Sequence, residues 1–557
     1  MKKKALLFPI SLFLTLTSCS LPFFQNNDNN TAETPEITNP DDPKEDEPTD
    51  PIEVKDKIAI GSYGDYVEFA SKDDKRDLNE QYTALLKEKT YFESGIFKVN
   101  YQVGLYEFFN YENQIQIVIN ITKDELNKLD NDHKVNNKET YRMCSLEITY
   151  LGLHFHYEEV GIRQKGNLSR GEILSGESIN LRHYKLSFEE TFDDEYTENP
   201  KVWEDEKAKA YREDRKFFGE NKIDIRWNRN EDHTYLKEYY AYELYRSSGA
   251  LAPRSNPVNV SLNIDGDKQN MGVYLAVENM NKSFIKRNFV KASRGGNLYK
   301  ITWGSGEGGT FKSINDRLFG VETQIKNGDT FVQQSYTYDL KTNKDTPDHT
   351  FIKSFISTIS SNDFHGSDSY DFFSSYSYYD AFISYLSCSY LLGDPDDLRG
   401  NYNNTYVYFA PNNDSYQIVI IPTDNDRALG ASGEGGNPLG HYGTKTKPFD
   451  SRTGYSTNDS PLFKKTIISS NSTTIRSDYL NKINEIINGQ YFNIDKFTSI
   501  FNKVKDNYQI SLNLGSKINY TKINFDINES DDINSGGNLS IAKYFELKKN
   551  TFLNSLN

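Results

Sequence analysis

The chain has 557 residues, 36% of them hydrophobic and 26% charged, with a formal net charge of −16. That length supports a large buried core, and the acidic balance disfavours a nucleic-acid backbone as a partner. Only three cysteines exclude a disulfide framework, so the fold must hold by burial alone, with 39 Tyr and 34 Phe supplying large contact areas.

Residues 1–19 read as a lipoprotein signal peptide. Lys2, Lys3 and Lys4 form a positive start, residues 5–16 are apolar but short for a bilayer span, and Leu16-Thr17-Ser18-Cys19 closes the stretch as a lipobox does. Cleavage before Cys19 and lipidation of its thiol would tether the protein to the membrane outside the cytoplasm, at the cell surface. Residues 20–57 are rich in Pro, Asn, Thr and acid and poor in apolar side chains, which predicts a solvated, disordered linker. Residues 58–112 turn globular without a motif and are assigned as an accessory segment.

The alternation in Ile115-Gln-Ile-Val-Ile-Asn-Ile121 predicts a strand, and Thr122 an N-cap for a short helix over 123–129. Strands over 145–150, 156–163 and 184–188 extend this into a twisted antiparallel sheet. Thr234 is the expected cap of a helix in which Leu236, Tyr239, Tyr240 and Leu244 share a face, ending near Gly249. Residues 258–264, the turn Asp265-Gly266 and residues 272–277 form a hairpin. A second helix carries Tyr379, Phe382, Ile383 and Leu386 on one face, and the last hundred residues are mainly helical, as over 474–487 and 541–552. Sheet first and helix later make the fold class α+β.

The densest polar cluster is Gly393-Asp-Pro-Asp-Asp-Leu-Arg-Gly-Asn-Tyr-Asn-Asn404. A strand over 405–409, a turn over 411–415 and a strand over 416–421 follow, then Asp424-Asn425-Asp426. Carboxylates at the two ends of a tight hairpin reach the same sheet edge, giving a hard-oxygen pocket suited to Mg²⁺ or Mn²⁺. This is also the order of a protein-kinase core, in which an Asp and a following Asn precede a hairpin and a metal-binding Asp follows it. An EF-hand reading fails because Ala428 and Leu429 occupy ligand and turn positions. The glycine runs Ser305-Gly-Glu-Gly-Gly309 and Ser432-Gly-Glu-Gly-Gly436 have no Walker lysine and are expected to be flexible loops.

Four ordered segments carry a family resemblance: Gly161-Ile-Arg-Gln-Lys-Gly-Asn-Leu-Ser-Arg170 with Tyr184-Lys-Leu-Ser-Phe188; residues 236–249 running into Ala252-Pro-Arg254; Met271-Gly-Val-Tyr-Leu-Ala-Val-Glu278 with Phe284 and Arg287; and Asn403-Asn-Thr-Tyr-Val-Tyr408 leading to Ile421-Pro-Thr-Asp-Asn-Asp426. In these the chain resembles the CotH (spore-coat protein H) family of atypical protein kinases. The resemblance places a kinase core over 113–435, with residues 436–557 as the helical end of the same domain. It implies a two-lobed kinase-like fold with an antiparallel sheet-rich N-lobe and a helical C-lobe. It also implies transfer of the ATP γ-phosphate to Ser or Thr of exported or surface proteins, with Mg²⁺ or Mn²⁺.

Carried over by position, Asp397 or its neighbour Asp396 is the catalytic acid, and Asn404 is the asparagine after it, with Asn401 and Asn403 open. Asn404, Asp424 and Asp426 hold the metal. Arg163 and Lys165 are the basic residues of the glycine-containing loop, and Lys185 is the phosphate-pairing cation, with Arg182 or Lys165 as substitutes. Glu278 faces the nucleotide, and Glu243 is the helix glutamate, with Glu238 open. The loop between Asp397 and Asn404 is longer than the kinase pattern, and Asp424-Asn-Asp426 stands in place of Asp-Phe-Gly. Two other functions suit the same residues: a non-catalytic surface adhesin or binding module on this fold, and a metal-dependent phosphoesterase.

Overall fold

Period-two burial is clear over residues 116–121 and 142–150, and buried apolar side chains from seven strands close a barrel around one core. The strands are β1 (Gln116–Ile121), β2 (Arg142–Tyr150), β3 (Leu153–Gln164), β4 (Tyr184–Ser187), β5 (Lys222–Trp227), β6 (Ser255–Ile264) and β7 (Asp267–Glu278). Their order is β3-β4-β5-β7-β6-β1-β2, and β2 pairs back onto β3. A closed ring with an odd number of strands cannot alternate direction throughout. The pairing of β1 with β6 is accordingly parallel, and the other six are antiparallel. The sheet expected to be antiparallel is therefore closed, and one of its pairings is parallel.

This computed structural model describes residues 57–556, except 62, 168, 195, 198–199, 414, 432–441, 451–459 and 529–538. The signal peptide, Cys19, almost all of the linker and the second glycine run lie outside the described residues.

Ile117, Leu146, Ile162, Leu186 and Ile225 fill the barrel, each fully or almost fully buried, and each contributes about 1.5–3 kcal/mol by leaving water. Strand β7 divides its side chains between two cores. Tyr274 and Ala276 belong to the barrel interior, whereas Val273, Leu275 and Val277 join the core built with the helices. The β6–β7 turn places Asp265 and Gly266 both at positive φ, 48° and 95°, as a two-residue hairpin requires. Residues 58–112 are integral to this half. Strands Lys57–Ala59 and Tyr66–Phe69 extend the wall from the first part of β3, and Leu105 and Phe108 enter the barrel core.

Helix α1 (Lys123–Lys134) begins where expected, with Thr122 accepting from the Glu125 N–H. It continues past 129, its Leu126 and Leu129 both buried. Helix α2 (Lys237–Ser247) is capped mainly by Asp232, whose carboxylate accepts from the N–H groups of Leu236 and Lys237 at 2.9 and 2.8 Å. Thr234, the expected cap, donates its hydroxyl to that same carboxylate at 2.7 Å.

The second half carries its own sheet, which the sequence reading recognised only at the hairpin. Strands β8 (Asn297–Ile301), β9 (Phe319–Gly320), β10 (Tyr338–Leu340), β11 (Thr405–Asn412) and β12 (Ser415–Pro422) stand in the order β9-β10-β8-β11-β12. Around it pack α3 (Tyr379–Leu392), α4 (Thr473–Ile487), α5 (Ile494–Tyr508) and α6 (Ile541–Asn554). Residues 381–392 of α3 are all buried, so this helix is the axis of the second core and fixes the loop that leaves its end. The fold is α+β. Among the described residues no helix is long and apolar enough to cross a membrane.

Candidate active site

Helix α3 stops at Gly393, which adopts the left-handed conformation (φ 59°) and turns the chain back along the core. Asp394 then accepts from the Asp396 N–H at 2.9 Å. Of residues 391–400, Asp396 alone keeps partial solvent access. The side-chain amides of Asn401 and Asn404 donate to its two oxygens at 2.7 and 3.0 Å. Asp397 is 2% exposed and accepts from Ser389 Oγ at 2.5 Å and the Gly400 N–H at 2.7 Å. The two neighbouring acids are thus separated: Asp397 pins the loop to α3, and Asp396 faces out.

The β11–β12 hairpin brings its far end to the same place. The Thr423 N–H donates to the Asn404 carbonyl at 3.1 Å, and Asn404 and Asp424 both sit at positive φ, 48° and 59°, which Asn and Asp tolerate better than other side chains. Asp424 ion-pairs with Arg226 of β5, and Asp426 lies 3.7 Å from the same guanidinium. Arg226 also holds Glu238 of α2 at 3.1 Å. The Tyr242 hydroxyl donates to Glu238 and accepts from the Asp424 N–H, both at 2.9 Å. The glutamate of α2 that reaches this cluster is therefore Glu238. Glu243 lies five residues along the helix, about 140° round it, and pairs with Arg246.

The cations line the outer barrel wall. Arg163, Lys185, Asp224 and Val277 are successive cross-strand partners over β3, β4, β5 and β7. Lys165 and Lys185 share the Asp224 carboxylate at 2.7 and 3.4 Å. Asp224 and Arg226 are two residues apart on one strand face, so they join the cation row to the hairpin acids. Burial alone would raise the Asp224 carboxyl, but Lys165 and then Lys185 outweigh it and hold it below the usual range. Burial pushes the Lys185 ammonium down to about 7, against the pull of Asp224.

Arg163 is turned away, toward Glu139 at 3.0 Å and the Tyr141 ring. Arg182 donates to the carbonyls of Leu181 and Glu172. Glu278 faces away from the cation row. It has the opposite parity to Val277 on β7, is 1% exposed, and takes Arg287 at 2.7 Å and the Tyr101 hydroxyl at 2.8 Å.

Asp224, Arg226 and Tyr242 escaped the sequence reading. The signal was present in Lys222-Ile-Asp-Ile-Arg226, where polar residues alternate with Ile, a half-buried strand with a charged outer face. Trp303, 43% exposed, donates its indole N–H to the Asn401 carbonyl at 2.9 Å. Beside it the first glycine run is held to the loop by the Gly309 N–H and the Tyr402 carbonyl, 2.8 Å apart.

Acids crowd this edge. Burial, and then Asp397, raise the Asp394 carboxyl well above its ordinary value; burial raises Asp396, with Asp426 adding to it; burial pushes Asp397 up to about 6. Asn425 Oδ1 is buried with no hydrogen-bond partner among the described residues. An all-oxygen donor set with excess negative charge fits a hard divalent cation, although no three acidic, His or Cys side chains among the described residues are already gathered as a metal cluster. Arg226 occupies Asp424 in their place.

Carboxyls raised on folding stabilise the fold fully below their unfolded value near 4 and lose that contribution as pH rises through about 6. A divalent ion at this edge should offset the loss. Mn²⁺ or Mg²⁺ is therefore expected to raise the melting temperature by several degrees at pH 7.5 and hardly at all at pH 4.5, measured by thermal unfolding against a chelator control. No shift at pH 7.5 would remove the metal from the site.

No curated protein matches the chain at a significant level. A family model described as CotH kinase protein matches residues 162–522, a span that takes in the cation row, Asp396, the hairpin and the Asp424–Asp426 pair. With more than half of its length matched, the chain belongs to the CotH kinase protein family.

Proposed function

We propose that this protein is an ATP- and divalent-metal-dependent kinase that transfers the γ-phosphate to Ser or Thr hydroxyls of exported or surface proteins. One observation carries the reading: Asp396 with Asn404, and Asp424 with Asp426, stand at one hairpin edge and are joined through Arg226 to Asp224 and its two lysines. In this reading the barrel serves as the sheet-rich lobe of a kinase and the helical half as the other, with the nucleotide between them.

Asp396 orients the acceptor hydroxyl and takes its proton; its raised carboxyl brings it closer to working pH. Asn404, Asp424 and Asp426 are the residues that would hold Mg²⁺ or Mn²⁺, which supplies neutralisation of phosphate charge when bound. Arg226 must then release Asp424, and Glu238 with Tyr242 keeps the guanidinium in place. Lys165 and Lys185, parked on Asp224, are the cations nearest to hand for the phosphates. Lipidation at Cys19 would set this chemistry on the outer face of the membrane.

The test is the full chain with γ-labelled ATP and Mn²⁺, beside Asp424→Ala. Label entering protein with the wild type and not the variant supports the kinase. Phosphate release from an ester without ATP would assign a phosphoesterase, and neither result would leave a binding module. Lys185 gives an independent check. At pH 7 a lysine with a pKa of about 7 is half neutral, against about one part in three thousand for an ordinary lysine. A limiting amine-reactive ester should mark Lys185 ahead of exposed lysines by mass spectrometry, and ATP with Mn²⁺ should protect it.

A further inference from the structure

A cavity of about 600 Å³ beside the barrel wall is rimmed mainly by cations, with Glu88 also in its lining. Lys216 comes from the turn before β5, Lys282 and Lys286 from the helix Lys282–Asn288, and Arg294 from the chain just beyond it. Lys282 and Lys286 are one helical turn apart on one face. Both are exposed, and neither has an ion-pair or hydrogen-bond partner among the described residues. Among the described residues Lys216 pairs only with the exposed Asp214, at 2.5 Å. The walls between these charges are partly apolar, from Ile60, Tyr82, Leu86 and Phe218.

The arrangement selects among anions. A single phosphate is best gripped by converging guanidinium forks. The two arginines deepest in this cavity are already committed, Arg215 to Asp65 and Arg287 to Glu220 and Glu278. What remains is a set of dispersed point charges on three elements with apolar wall between them, which matches several carboxylates strung along an extended chain. We infer that this cavity docks an acidic peptide segment, rich in Asp and Glu with interspersed apolar side chains, of a partner protein.

Gly219, in the cavity wall, sits in the turn that leads into β5, five residues before Asp224 and so at most about 16 Å from it. A protein held here can therefore present a neighbouring hydroxyl to the Asp396 edge. The docking does not rest on the kinase reading; its use in selecting a kinase substrate does.

The experiment is fluorescence anisotropy of the full chain with a labelled synthetic peptide of Glu and Asp with interspersed Leu. Wild-type protein should bind it in a salt-sensitive manner. Lys282→Glu/Lys286→Glu, both on the exposed rim, should weaken binding at least about tenfold. The same peptide with Lys for its acids should not bind, and inorganic phosphate at matched ionic strength should not displace the acidic one. Equal affinity for the double variant, no binding by the wild type, or displacement by phosphate would each overturn the proposal. Asp424→Ala should bind the peptide as the wild type does, so a failed kinase assay and a failed docking site give different results.

Discussion

Asp396→Ala is expected to lower phosphate transfer by about 10²–10⁴-fold, the usual contribution of a positioned acid–base group, while the protein stays folded. Asp397→Ala, one residue on, is expected to fail in the opposite way. Asp396 is partly exposed, and its loss frees only two half-buried asparagine amides that water can satisfy. Asp397 is buried, and its loss orphans the Ser389 hydroxyl and the Gly400 N–H inside the core. Each buried group left unpaired costs about 1–3 kcal/mol, partly offset because a carboxyl pushed up to about 6 no longer has to be kept ionised there. A net loss near 2 kcal/mol is about right. Thermal unfolding with the labelled-ATP assay separates the two. A stable, inactive Asp397→Ala beside an active Asp396→Ala would exchange their roles.

Locality decided how much of this was legible in the sequence. The β6–β7 hairpin, with Asp265-Gly266 as its turn, and the Thr122 cap show in the sequence because a few adjacent residues determine them. The parallel pairing of β1 with β6 brings together residues over 130 positions apart, such as Gln116 and Asn259, and it follows from ring closure rather than from either segment. At the site, the acids at the two ends of the hairpin were legible for the same local reason. The choice between Asp396 and Asp397 was not, since adjacent residues differ only in which way the turn after Gly393 aims them. Glu238 and Glu243 show the same limit on a helix: both are acids on α2, and only the position of Arg226 on a distant strand distinguishes them. Arg163, Lys165 and Lys185 were read as cations of the site, but their arrangement needs the register of three strands; Asp224, which holds Lys165 and Lys185, carries no motif of its own.

The largest expected loss of stability follows from removing Glu278, the acid that resemblance assigns to the nucleotide. Its Oε1 accepts from the Tyr101 hydroxyl at 2.8 Å and from Arg287 Nε and Nη2 at 3.0 and 2.7 Å, and its Oε2 accepts from the Arg254 N–H at 3.2 Å. Arg287 pairs with Glu220 on its other side. Breaking a buried pair on one side strands the remaining groups, which typically costs about 3–5 kcal/mol. Glu278→Ala should lose that much in denaturant unfolding and express poorly. Removing Arg287 as well, as in Glu278→Gln/Arg287→Met, should recover stability only at pH values where Glu220 can take up a proton, because that variant also removes the cation Glu220 pairs with. There is also a pH signature. Burial pushes the Glu220 carboxyl up to about 7, with Arg287 opposing and Glu278 adding to the rise, so its stabilising contribution is full below its unfolded value near 4.5 and fades as pH climbs through 7. Removing the negative charge of Glu278 lowers the Glu220 carboxyl toward its ordinary value, and the fall in stability between pH 5 and 7 should flatten in Glu278→Gln. A Glu278→Gln protein with wild-type stability and weakened ATP binding would return this residue to the nucleotide. The geometry argues against that outcome, since Val277 faces the cation row and the next residue along a strand faces away from it.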